Sequence, residues 1–138
     1  MFFNKKESDK ETTYLIKIGA LLIHAAKIDE EYSELEDKLI KNALLKLGAS
    51  KENLNLLIEK AKKIEEDSNQ ILDFTREIKK QKEIEKIKII EILWRIIYSN
   101  KEADIYETNL MRRLSGLLYV DSKIIGDIKE KIKNENLK

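Results

Sequence analysis

The sequence predicts an all-α fold: an orthogonal bundle of about seven helices with an internal duplicated helix–acidic loop–helix unit. Three observations carry this. The 138-residue chain has no proline and four glycines, so the strongest helix breaker is missing throughout. Its apolar residues recur at spacings of three and four, the period of one helix face. The chain also repeats itself at an offset of 71 residues. Asp29-Glu30-Glu31 with Glu36 falls on Asn100-Lys101-Glu102 with Glu107. Leu39-Ile40 falls on Leu110-Met111, Leu47 on Leu118, and Ser50 on Asp121.

Residues 1–10 are polar apart from Phe2-Phe3 and are expected to form a flexible N-terminus. A single domain is expected over 11–134, with repeat units at about 14–50 and 84–121. The first helix begins at Glu11, carries Leu15, Ile16, Gly19, Leu22, Ile23 and Ala26 on one face, and ends near Ile28. Gly19 and the alanines invite close approach of another helix. Ser33 starts the second helix. Glu36 three residues on completes a capping box, in which the hydroxyl caps one end amide and the carboxylate reaches back to another. Gly48 stops this helix as its C′ residue.

Ser50 is expected to cap a third helix carrying Leu54, Leu57, Ile58, Ala61 and Ile64, and Ser68 a fourth carrying Ile71, Leu72, Phe74 and Ile78. The fifth, about 83–99, is apolar most of the way round, from Ile84 and Ile87 to Ile96 and Ile97. This predicts the central helix. Its β-branched residues favour a strand, but Lys88, Glu91 and Arg95 interrupt at helical spacing. Asp104, again with a glutamate three on, starts the sixth helix, and Asp121 the seventh.

Composition narrows function. Basic and acidic residues number 27 and 26, a net charge of +1. That is not the basic excess by which nucleic-acid binders neutralise phosphate. Without cysteine there is no disulfide, thiolate nucleophile or zinc finger. The lone His24 leaves no pair for a catalytic zinc, and reads as a packed or exposed residue. Trp94 reads as core. Lys79-Lys80-Gln81-Lys82 and Arg112-Arg113 read as solvated helix ends that an anionic partner could use. No apolar run approaches a membrane span or a signal-peptide core, so a cytoplasmic protein is expected.

The residues with chemistry are therefore the acidic corners: Asp29, Glu30, Glu31 and Glu36 in the first copy, Asn100, Glu102, Asp104 and Glu107 in the second. Two readings stand. Acids in a first helical turn cap amides and favour the helix dipole. A loop carboxylate and a glutamate one turn into the next helix also supply the oxygen ligands that Ca²⁺ and Mg²⁺ require. The spacing from Asp29 to Glu36 is too short for an EF-hand loop.

These corners resemble those of the TerB-like domain family, an all-helical fold associated with tellurite resistance. Ala26 to Glu31 with Glu36, and Ser99 to Glu102 with Glu107, are similar to the Ala-Asp-Gly-Glu-like corner and following glutamate in each half of that family. Leu72-Asp73-Phe74-Thr75-Arg76 resembles its central segment. Leu93-Trp94-Arg95-Ile96-Ile97-Tyr98 and Leu110-Met111-Arg112-Arg113-Leu114 resemble its C-terminal half.

The resemblance covers about 14–133. It implies a duplicated bundle, cytoplasmic or on the inner face of the membrane, that serves protein interaction in stress response. It further implies a divalent cation, Ca²⁺ or Mg²⁺, at Asp29, Glu31 and Glu36 in the first corner and at Asn100, Glu102 and Glu107 in the second. The chain departs from the family at both glycines, which are Glu30 and Lys101 here, and at the second aspartate, which is Asn100. The expectation is a non-enzymatic binding or scaffolding module with a protein partner, no nucleic acid and no transmembrane segment, peripheral membrane association staying open. The alternatives are a purely structural partner without metal and a carboxylate-based enzyme.

Overall fold

Among the described residues seven α-helices and one short 3₁₀ turn follow one another: α1 (Phe2–Lys27), α2 (Glu34–Lys46), α3 (Leu54–Asp67), α4 (Leu72–Lys79), α5 (Glu83–Ile97), the turn Tyr98–Asn100, α6 (Ile105–Leu118) and α7 (Ser122–Asn136). The computed structural model describes residues 2–28, 33–67, 71–100 and 105–136, and no strand occurs among them. The β-branched run of α5 is helical, as Lys88, Glu91 and Arg95 indicated.

Two expectations need correction. The helix placed from Glu11 begins at Phe2; the apolar stripe starts only at Leu15, but Lys and Glu ahead of it are good helix formers and nothing there breaks the helix. The central helix is α1, not α5. Ile18, Ala20, Leu21, Leu22, Ile23, Ala25 and Ala26 are all at most 2% exposed, and α1 packs against α2, α3, α4 and α5.

Small residues make this enclosure possible. A Cβ added to Gly19 would come within 3.1 Å of the Ala61 Cβ, so α1 and α3 meet almost backbone to backbone. By contrast α5 is buried only from Ile89 onward, and Ile84 is 66% exposed. Its apolar character outruns its burial.

Helix ends follow local chemistry in most places. Ser33 Oγ accepts from the Glu36 amide at 3.1 Å, while Glu36 Oε1 accepts from the Ser33 amide at 3.0 Å, closing the expected capping box. Ser50 accepts from the Asn53 amide at 3.3 Å, but it caps a turn over 51–53, and α3 itself starts at Leu54. Asp121 Oδ1 accepts from the Lys123 amide at 2.9 Å. Ser68 and Asp104 lie outside the described residues.

Both copies end their second helix with the same pair of bonds. In the first, the Gly48 amide donates to the Leu45 carbonyl and the Ala49 amide to the Leu44 carbonyl. In the second, Tyr119 donates to Gly116 and Val120 to Ser115. This is the Schellman arrangement, which needs a left-handed residue at C′. Gly48 supplies φ +115° freely; Tyr119 adopts φ +56° against its steric preference. The Lys79 ammonium lies 4.5 Å from the Tyr119 ring centroid, an attraction that partly offsets that cost.

The C-terminal helix is held on α5. The Trp94 indole, 2% exposed, donates to the Ile125 carbonyl at 3.1 Å, and its ring lies 5.9 Å from that of Tyr98. Arg95 bridges Glu91 and Glu135, each at 2.9 Å. These carboxylates, Glu91 foremost, raise the Arg95 guanidinium further above its usual range.

Candidate metal centre at the acidic corners

Of the six residues expected to ligate a cation, the structure places the side chains of Glu36 and Glu107. Asp29, Glu31 and Glu102 lie outside the described residues, as do the neighbouring Glu30 and Asp104. Asn100 closes the 3₁₀ turn, and its side chain is likewise outside the description. Among the described residues no three His, Cys, Asp or Glu side chains converge as a metal site. The other expected ligands, Asp29, Glu31 and Glu102, belong to the loops at 29–32 and 101–104.

The two placed glutamates have one property in common that capping does not require. Glu36 is 6% exposed and Glu107 is 3% exposed. Each sits in the first turn of the second helix of its repeat. Lys, Glu, Arg and Asp are almost never fully buried unless paired, because stripping a carboxylate of water costs several kcal/mol. The fold keeps one in the same place in both copies.

Cap and ligand are compatible roles for Glu36. Its Oε1 accepts from both the Ser33 amide and the Ser33 hydroxyl, each at 3.0 Å. An ionised carboxylate offers about four lone-pair sites on two oxygens. The box orients the group. All-oxygen donors of this kind suit hard cations such as Ca²⁺ and Mg²⁺.

Glu107 has its own electrostatic signature. Burial first, then the negative charges of Glu130 and Glu107, raise the Tyr98 phenol above its ordinary value. Tyr98 therefore stays protonated beside them.

One constellation near the first corner escaped the sequence reading. Glu65, 9% exposed, takes the Lys27 ammonium on Oε2 at 2.7 Å and faces His24 Nδ1 from Oε1 at 3.3 Å. It fastens the end of α1, from which the acidic loop departs, to α3. The signal was present: Glu65 continues the Leu54, Ile58, Ala61 stripe at spacings of four, three and four, so the charge falls on a buried face. His24, read from the sequence as packed or exposed, is half-buried beside Glu65. No helix among the described residues is long and apolar enough to cross a membrane.

The family model described as Tellurite resistance protein TerB matches residues 15–130. No curated protein and no solved structure matches the chain.

Proposed function

The chain belongs to the TerB family, and we propose that it is a non-enzymatic binding module whose acidic corners take up a divalent cation. The observation that carries this reading is the pair of buried glutamates, Glu36 and Glu107, at equivalent places in the duplicated unit. In the first corner Asp29, Glu31 and Glu36 hold the cation; in the second, Asn100, Glu102 and Glu107. The cation would supply charge neutralisation and a link between loop and helix. Glu36 is already oriented by Ser33, and the end of α1 is fixed by Glu65, so each side of the first corner is braced before an ion arrives. The second corner, with Asn100 and Lys101 in place of an acid and a glycine, holds the cation more weakly.

The braced corner then presents a surface to a protein partner. A role in stress response, tellurite resistance included, and a cytoplasmic place of action are part of the same reading. A second reading has support in the complete capping box: the corners are structural and no metal binds.

Thermal melts of chelator-treated protein separate the two. If the module binds, Ca²⁺ or Mg²⁺ at a hundredfold excess over Kd stabilises the fold by about 2.7 kcal/mol through mass action. That gain disappears in Glu36→Gln. If the corner is only a cap, Glu36→Gln melts lower than the native chain and the cations move neither curve.

A further inference from the structure

A groove of about 430 Å³ lies between α2 and α5. It falls within the range of small-molecule sites. Its floor is apolar. Leu39 and Ala43 on α2 and Leu47 at its C-cap line it at intervals of four residues, and Ile92 and Ile96 line it from α5. From Leu39 to Leu47 is two helical turns, about 12 Å.

Its charge is uneven. Glu91 and Arg95 line one stretch but are spent on each other at 2.9 Å, with Glu135 also on Arg95. Lys46 and Lys88 line it as well, and among the described residues neither makes an ion pair. Lys46 stands in the last turn of α2 and Lys88 in the first half of α5. Leu47 and Gly48, just past α2, line a neighbouring cavity together with Glu85 near the start of α5. The end of α2 therefore meets the beginning of α5.

The duplication shows what makes this groove roomy. Its counterpart, at the same 71-residue offset, lies between α6 and α1 and is lined by His24, Ile28, Asn109, Leu110 and Arg113, with a volume of about 340 Å³. Leu110 stands where Leu39 does and Arg113 where Asn42 does. The residue matching Ala43 is Leu114, fully buried, and the one matching Lys46 is Leu117. The second copy fills this space with its own side chain. The first leaves it open and puts a lysine at its mouth.

We propose that the α2–α5 groove binds a free single-chain aliphatic carboxylate. The chain lies over Leu39, Ala43, Leu47 and Ile92, and the carboxylate meets Lys46 and Lys88. A slot of two helical turns with two lysines in its lining matches a ligand with one head and one tail.

The test is calorimetric titration of the full chain with decanoate, decyl phosphate and decyltrimethylammonium, each below its micelle threshold. Decanoate binds at one saturable site, at least about tenfold more tightly than the cationic amphiphile, as a rim of two unpaired ammonium groups requires. Ala43→Leu, a residue the other copy already accommodates, weakens decanoate at least about tenfold by filling the slot. Lys46→Gln with Lys88→Gln, both at solvent-facing positions, does the same while leaving the fold in place, as circular dichroism checks, and carries the test should Ala43→Leu disturb the fold.

Absence of saturable binding, equal affinity for the two head charges, or unchanged binding by the lysine pair overturns the proposal. Binding of decyl phosphate in place of decanoate overturns the carboxylate assignment. A dimer in solution that Ala43→Leu disrupts makes the groove a contact between two copies and overturns it as well.

Discussion

Trp94→Phe tests how α7 is held to the bundle. The indole is 2% exposed and donates to the Ile125 carbonyl at 3.1 Å. Shrinking it to a phenyl ring removes roughly 40 Å² of buried apolar surface, about 1 kcal/mol at ~25 cal/mol per Å². The void left behind adds up to about 1 kcal/mol at ~24 cal/mol per Å³. Ile125 lies inside α7, where its carbonyl also serves the helix. Losing the indole donor therefore costs about 1 kcal/mol, the low end for an abandoned buried acceptor.

The sum is about 3 kcal/mol, or roughly 10 °C in Tm for a domain of this size. The assay is guanidinium unfolding followed by far-ultraviolet circular dichroism, since the variant has no tryptophan. An unchanged m-value with a lower midpoint is expected. A loss below about 1 kcal/mol would show that the indole neither fills the α5–α7 contact nor ties it, and would refute this account of it.

Other expectations follow from single contacts. Gly48→Ala forces φ +115° on a residue with a Cβ and lowers stability by about 1–2 kcal/mol; an unchanged guanidinium midpoint would contradict it. Glu65→Gln breaks the ion pair with Lys27, which is 42% exposed, so the loss is only about 1 kcal/mol after solvent screening, read by the same denaturation.

Burial, then Glu85, raise the Tyr14 phenol above its ordinary value. Above about pH 10 the unfolded chain loses that proton while the folded chain keeps it, so stability falls as pH rises through this range. Tyr14→Phe removes the contribution. Its stability curve between pH 9 and 11 should be shallower than the native one by less than about 1.4 kcal/mol per pH unit, because Tyr14 is only half-buried. Parallel curves would rule the phenol out.

The helices were legible because their apolar stripes keep the 3.6 period, and Ser33/Glu36 and Gly48 were legible because caps are local chemistry. What was not legible is relational. α5 has the more apolar composition, yet α1 is central, since enclosure on all sides depends on the small Gly19, Ala20, Ala25 and Ala26 letting neighbours close in. Tyr119 at a left-handed C′ runs against residue preference and shows itself only through its alignment with Gly48. The candidate site was visible as acidic residues at a repeated spacing. That Glu36 and Glu107 are buried was not, because burial depends on the helices packed above them.

The most direct measurement is calorimetric titration of chelator-treated protein with Ca²⁺ and with Mg²⁺, beside the Asp29→Asn/Glu36→Gln double variant. Saturable binding to the native chain, lost in a variant that still folds, is the predicted result. No binding to the native chain, or the same binding to the variant, would contradict a cation site at the first corner and leave Glu36 as a helix cap.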